Sequence, residues 1–333
     1  MTSVADAVAA GRVWDVRRLL GRYGWTVGVY VLLSGAFVYW MSLVSSFDSF
    51  TVQSLALDIV PLGFVAMAQA IVVISGGIDL SVGSLMSLGS VISGRWMIHM
   101  CFREALLFAV VVVLIGALAG SATGVLIDIT HIPDIVVTLA MLYVWSGVAL
   151  LIMSGPGGGA PLRFVQLGQG YTLSPWIPTG LVILLGTLVL LWLPIRWRKP
   201  GLAIYAVGSN RNAAYLSGVN VRAARIGAYA MSGALSSLAG IALTTIATQG
   251  NPIGGVNYTL QSVAAIVLGG VSLAGGKGGL VGVLGAAAAL ALVKNILPLR
   301  GYDQNIVQVV QGTIIVLIVV LGALVTQQGR RRA

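Results

Sequence analysis

Charge is the scarcest property of this chain, and that scarcity constrains its fold more than any motif does. Of 333 residues, only 8% are Asp, Glu, Lys or Arg and 58% are hydrophobic, whereas ordinary soluble domains are about a quarter charged. A globule of this length lacks the polar residues to coat itself, so lipid is the solvent the composition calls for. The formal net charge of +10 does not suggest nucleic acid, because the basic residues sit in gaps between apolar runs and form no dense stripe in polar surroundings. A single cysteine, Cys101, rules out an internal disulfide and any cluster of thiolate metal ligands.

A helical crossing takes about 20 mostly apolar residues. Ten stretches meet that need, at residues 25–45, 52–75, 78–98, 105–127, 133–153, 176–195, 226–248, 256–274, 280–297 and 306–326. The third and eighth are rich in Gly and Ser, which marks each as a candidate broken or re-entrant helix sheltered among its neighbours. The fold class expected is all-α: a polytopic membrane protein of about ten transmembrane or re-entrant helices. With the N-terminus inside, ten crossings put fourteen of the nineteen Lys and Arg on the cytoplasmic side, as the positive-inside rule requires, and leave both termini cytoplasmic.

The organisation read from this pattern is a cytoplasmic interfacial segment at 1–24 with Trp14 as an anchor, one transmembrane domain at 25–326, and a basic tail at 327–333. Two connections are long. Residues 154–175 are rich in Gly and Pro and fall outside, either as contact for an external delivery protein or as a slack connector. Residues 196–225 are basic and fall inside.

The most informative run is Ile74-Ser75-Gly76-Gly77-Ile78-Asp79-Leu80-Ser81-Val82-Gly83-Ser84. Its small residues let backbones approach closely, and Asp79 needs an interface, a cavity or a partner to be tolerated there. Asp79 reads either as a cap on the following helix, with Gly77 supplying the turn, or as a polar group facing a path or a subunit interface. The two readings are compatible. Two further runs accompany it: Gly201-Leu202-Ala203-Ile204-Tyr205-Ala206-Val207-Gly208-Ser209-Asn210, continued by Ala213, Ala214 and Gly218, and Ala265 to Gly276, which contains Gly269, Gly270 and Ser272.

In order and spacing these three runs resemble the permease subunits of bacterial sugar ABC importers of the ribose type, over about residues 52–326. The resemblance implies a type II ABC importer-like fold in the inner membrane. It also implies a homodimer or heterodimer of permease chains, cytoplasmic ATPase subunits that use the ATP, an extracytoplasmic solute-binding protein, and the second run as the segment that docks on the ATPase. Lys277 departs from the small or amide residue that often follows the last motif in that family, so no role carries onto it. Aligned by letters, Gly76 onward and Gly269 onward also resemble one another, as an internal repeat would.

No cofactor or metal is expected on the chain itself. Gly275-Gly276-Lys277-Gly278 fails as a P-loop, since Gly278 replaces the Mg²⁺-binding hydroxyl and Val271 the first Gly. The two histidines, His99 and His131, fall near opposite faces and cannot share a site. A soluble ATPase can move a membrane subunit only by gripping a stiff element. Asn212 to Leu216, with Asn210 as N-cap and Gly218 as the stop, is the candidate coupling helix; the alternative is a solvated topogenic loop. Along the path or an interface, the candidates are Asp58, Gln69, Gly76, Gly77, Asp79, Ser81, Gly83, Gly269, Gly270 and Ser272. Asp58 reads equally as a residue paired with a neighbouring helix. Few acids line any route, which favours a neutral small solute such as a monosaccharide or polyol. The competing function is a stand-alone ion-coupled carrier or channel, which needs Asp58 and Asp79 as coupling acids.

Overall fold

The computed structural model describes residues 16–44 and 46–331. Most of the expected interfacial segment, Trp14 included, lies outside the described residues, as do the side chains of the basic tail. In chain order the helices are α1 (Val16–Leu43), α2 (Ser49–Ile74), α3 (Val82–Trp96), α4 (Phe102–Thr130), α5 (Asp134–Ile152), α6 (Leu162–Gln169), α7 (Thr179–Arg196), α8 (Lys199–Ser209), α9 (Arg211–Leu216), α10 (Val221–Ala247), α11 (Tyr258–Leu268), α12 (Leu280–Leu299) and α13 (Gln304–Arg331). Among the described residues there is no strand, only two isolated bridges, Gly157–Gly250 and Tyr171–Pro178.

Seven of these helices are long and apolar enough to span a bilayer: α1, α2, α4, α5, α7, α10 and α12. The ten apolar stretches are therefore not all full-length helices. The third and eighth stretches carry α3 and α11, which at 15 and 11 residues reach only about 22 and 17 Å of a hydrocarbon core about 30 Å thick. Gly-rich turns cut both short, at residues 75–81 before α3 and 269–279 after α11. The tenth stretch begins as apolar helix at Gln304–Ile318. At the start of the chain, α1 runs unbroken through Gly24, so the described part of the N-terminal segment is continuous with the first crossing.

The bundle is built around α10, which packs against α2, α3 and α4. Small residues make that possible. A Cβ on Gly233 of α10 would sit 2.0 Å from the Gly116 carbonyl of α4, and one on Gly240 would sit 2.2 Å from the Met86 carbonyl of α3. Lipid offers no hydrophobic drive between helices, so packing at this range and interhelical hydrogen bonds hold the bundle. The short helix α3 is buried from Val82 to Gly94.

Beyond α10 the chain turns at Thr248 (φ 58°) and runs back along α3 as irregular backbone before α11 begins. Irregular backbone inside a bilayer must find its hydrogen bonds within the protein, and serines of α3 supply them. Ser90 Oγ accepts from Asn251 N at 3.1 Å, Ser87 Oγ accepts from Gly255 N at 2.9 Å, and Ser90 and Thr244 hydroxyls pair at 2.9 Å. The 154–175 connection is not slack: Phe164 and Val165 of α6 are buried, and Gln169 Nε2 donates to the carbonyls of Thr245 and Ile246 at 3.0 and 2.8 Å.

A branched side chain at Gly233 has to push α4 away from α10. Gly233→Val is expected to lower stability by about 1–3 kcal/mol or more, whereas Gly147→Val, which meets nothing within 4 Å, is expected to be near neutral. Thermal unfolding of the two variants in detergent checks this, and equal melting shifts would contradict the close-packed α4–α10 contact.

Candidate functional site

Helix α2 ends by the hydrogen-bond pattern of a glycine C-cap. Gly77 N donates to Val72 O and Gly76 N to Val73 O at 3.1 and 2.9 Å, with Gly76 left-handed at φ 87°. Helix α11 ends identically: Val271 N donates to Ile266 O and Gly270 N to Val267 O at 2.9 and 3.1 Å, with Gly270 at φ 82°. Only glycine takes that conformation without strain, which is why the motif recurs. The geometry pairs Gly76 with Gly270, one residue away from the pairing that letters suggest, so Gly269 corresponds to Ser75.

Both turns meet the end of α8. A Cβ on Gly208 would lie 1.8 Å from the Ile74 carbonyl and 2.7 Å from Gly276 N; one on Gly275 would lie 2.6 Å from the Gly208 carbonyl and 2.9 Å from Gly76 Cα. Gly276 N donates to Ile74 O at 2.9 Å, linking the second turn to the end of α2. The three runs singled out in the sequence, each separated from the next by more than 50 residues, thus converge on one junction of bare backbone.

The side chains around it brace that junction. Tyr205 of α8 donates to the Gly278 carbonyl at 2.9 Å under the Arg196 guanidinium, 5.7 Å from its ring centre. Burial pushes the Tyr205 phenol up from its usual pKa, and the nearby Arg196 charge opposes part of that rise. Gly201 lets the start of α8 lie against the Ile195 carbonyl, 2.4 Å from where its Cβ would be. Trp25 Nε1 donates to the free Leu268 carbonyl at 2.7 Å, and Ser272 N donates to Lys277 O at 3.1 Å. Next comes α9 as the sequence suggests. Asn210 Oδ1 accepts from Ala213 N at 3.0 Å and Gly218 ends the helix at φ 79°. Arg211 and Asn212 open it, Ala214 is its buried contact, and Tyr215 and Leu216 are 73% and 84% exposed.

Asp79 is fully buried. Its carboxylate accepts from Ser81 N at 2.9 Å, from Ser81 Oγ at 2.6 Å and from Ser232 Oγ of α10 at 2.9 Å. It therefore holds the start of α3 and ties the turn to α10, while Ser81 serves as its partner. Gly83 admits the Gly255 carbonyl and the Thr259 hydroxyl close to α3. Gln69, also fully buried, has no hydrogen-bond partner for either amide atom. Asp58 stands well apart from the junction, paired with Lys294 and accepting from Asn295 Nδ2 at 2.9 Å.

One group escaped the sequence reading. Arg225 Nη2 donates to both Asp134 oxygens at 2.6 and 2.7 Å, and Tyr229 OH donates to Asp134 Oδ2 at 2.9 Å. This clamp joins the start of α5 to α10 and presses on Gly77, whose Cβ would lie 2.5 Å from Asp134 Oδ2 and 2.7 Å from Tyr229 OH. The available signal was Arg225 and Tyr229 four apart on one helical face, with Asp134 following a proline at a helix start.

The family model described as branched-chain amino acid transport system / permease component matches residues 51–319. The chain belongs to that family. Among its relatives, the Escherichia coli (strain K12) ribose import permease protein RbsC is 34% identical over 77% of this chain and 80% of its own length. The fructose import permease protein FrcC of Rhizobium meliloti is 32% identical over 83% of this chain and 78% of its own. The autoinducer 2 import system permease protein LsrD of Escherichia coli O157:H7 is 27% identical over 90% and 92%. No solved structure matches the chain. The protein is a multi-pass membrane permease, and its relatives are transport proteins rather than catalysts.

Removing the Asp79 carboxylate strands a buried N–H and two buried hydroxyls. Asp79→Leu is expected to cost about 2–3 kcal/mol, and Asp79→Asn, which keeps a carbonyl for Ser81 and offers an N–H to Ser232, should recover most of it. Melting curves of the two variants check this: equal loss in both would mean that the negative charge matters and capping does not.

Proposed function

We propose that this chain is the membrane-spanning permease subunit of an ABC importer that carries a neutral small solute, a monosaccharide or related polyol, across the bacterial inner membrane. Two permease chains, alike or different, work with separate cytoplasmic ATPase subunits and an extracytoplasmic solute-binding protein, and both termini face the cytoplasm. The seven long helices together with α3, α11 and α13 make the ten segments of that topology. The relatives named for ribose and fructose import support the cargo class.

The observation that carries this reading is the glycine junction. Helices α8 and α9 present exposed Tyr215 and Leu216 on a short stiff element whose root, Gly208, touches the end of α2 and the turn that follows α11 at backbone distance. A push on α9 is transmitted to α2 and α11 without side chains to absorb it, as coupling to a motor requires. Packed against the same element is an open polar groove of about 570 Å³ bounded by Asp128, Arg211 and Asn220, where Arg222 pairs with Asp128 at 3.0 Å. The ion-coupled carrier is the weaker reading: Asp58 is already paired with a lysine and Asp79 is committed to hydroxyls. Neither carboxylate stands unpartnered.

The purified chain is expected to hydrolyse no ATP, and the assembled importer in vesicles to take up solute only with ATP. Within that assembly Leu216→Asp should lower uptake at least about tenfold, since a charge in a buried docking contact costs more than 1.4 kcal/mol, with little change in the melting of the isolated chain. Uptake driven by an ion gradient without nucleotide would establish the carrier instead.

A further inference from the structure

A second polar constellation lies far from the glycine junction, toward the opposite end of the bundle. Asp58 of α2 and Lys294 of α12 form an ion pair inside apolar helices, and Asn295 holds the second Asp58 oxygen. The pair is not sealed: the Lys294 side chain is 41% exposed and that of Asp58 25%. Ionisable groups exposed at membrane depth face a water-filled route or a partner rather than lipid.

The spaces beside the pair differ. On the side of the α1–α2 and α12–α13 connections an open groove of about 470 Å³ is walled by Phe50, Thr51, Ser54, Asn295 and Gln304. On the side of the bundle's middle a cleft of only about 20 Å³ is walled by Tyr258, Gln261 and Gln311, with room for about one water. Asp58 and Lys294 line both spaces, so the ion pair is the partition between them.

We propose that the outer groove is a docking subsite for a neutral polyhydroxylated solute and that the Asp58–Lys294 pair is the closed gate at its inner end. The subsite rests on the permease reading above. The groove has the volume of a small-molecule site and carries what a polyol needs: hydroxyl and amide groups, an aromatic ring for a C–H face, and a carboxylate and an ammonium that bond hydroxyls strongly. The paired charges sum to zero, so a neutral guest meets no uncompensated charge. When the pair parts, the Gln261 and Gln311 amides of the inner cleft are the next groups able to receive the hydroxyls.

The test uses the whole importer in vesicles, with Cys101→Ser as background and a membrane-impermeant methanethiosulfonate cation added on the outer side. Ser54→Cys is expected to react, and Gln311→Cys to be protected. Adding Lys294→Gln is expected to speed Gln311→Cys modification about tenfold or more, the scale set by losing more than 1.4 kcal/mol of gate closure. In parallel, Ser54→Leu is expected to lower ATP-driven uptake of D-ribose or D-fructose about fivefold, with melting unchanged, by removing a hydrogen-bonding wall group. An unreactive Ser54→Cys in every nucleotide state would show a lipid-facing groove and overturn the subsite, and Gln311→Cys labelling that ignores Lys294 would overturn the gate. Unchanged uptake by Ser54→Leu where wild type transports would also overturn the subsite. Because labelling needs no cargo, it judges the groove even if wild type takes up neither sugar, a result that would count against the sugar reading alone.

Discussion

Backbone that leaves the helix inside a membrane must have its hydrogen bonds met by protein, and much of this structure serves that requirement. Gly-rich turns end α2 and α11, the short helices α3 and α11 stop before a full traverse, and the segment between α10 and α11 runs unwound beside α3. Each break is answered. Glycine caps close the two helix ends, Ser87 and Ser90 receive the unwound backbone, and Asp79 collects three donors at the start of α3. Failure of any one would leave a polar group stranded at a cost of several kcal/mol in hydrocarbon.

The same breaks create the mechanical arrangement. A helix running straight through would end in solvent, independent of its neighbours. Here two helices end in matching turns, and the Gly208 backbone fits between the end of α2 and the Gly275–Gly276 stretch that follows α11. Close-packed backbone is stiff and tends to switch between discrete packings rather than deform gradually. That makes the junction suited to passing force from α9, and the Asp134–Arg225–Tyr229 clamp gives it a fixed anchor on α5 and α10. The Asp58–Lys294 pair lies in the other half of the molecule, so the proposed receipt of force and the proposed solute contact fall in separate regions linked by α2.

Much of the site was legible as words but not as geometry. The motif at Ile74–Ser84 announced a turn and an aspartate accepting backbone N–H at the next helix start, though the left-handed residue is Gly76 rather than Gly77 and the N-cap position falls to Ser81; Asn210 and Gly218 bounded α9, because caps and left-handed glycines are local requirements with local signatures. The relation between the two turns was visible too, but letters placed it one residue out of register, since the hydrogen-bond pattern rather than the Gly-Gly pair defines equivalence. The Arg225 clamp and the Lys294 partner of Asp58 were not legible. They join positions 91 and 236 residues apart, and nothing in either local stretch names the other.

The sequence by itself determined that the chain lives in lipid, that it is helical, and where its backbone breaks, because charge scarcity, apolar run length and glycine clusters are properties of single segments. Only the tertiary structure decided which apolar stretches are full-length helices and which are half-helices. It also brought three distant motifs onto one contact and closed an ion pair between two grooves. The reason is physical: a hydrogen bond or a 2 Å close approach depends on where two segments end up relative to each other, and that is set by the packing of α10 against α2, α3 and α4 rather than by any one run of residues.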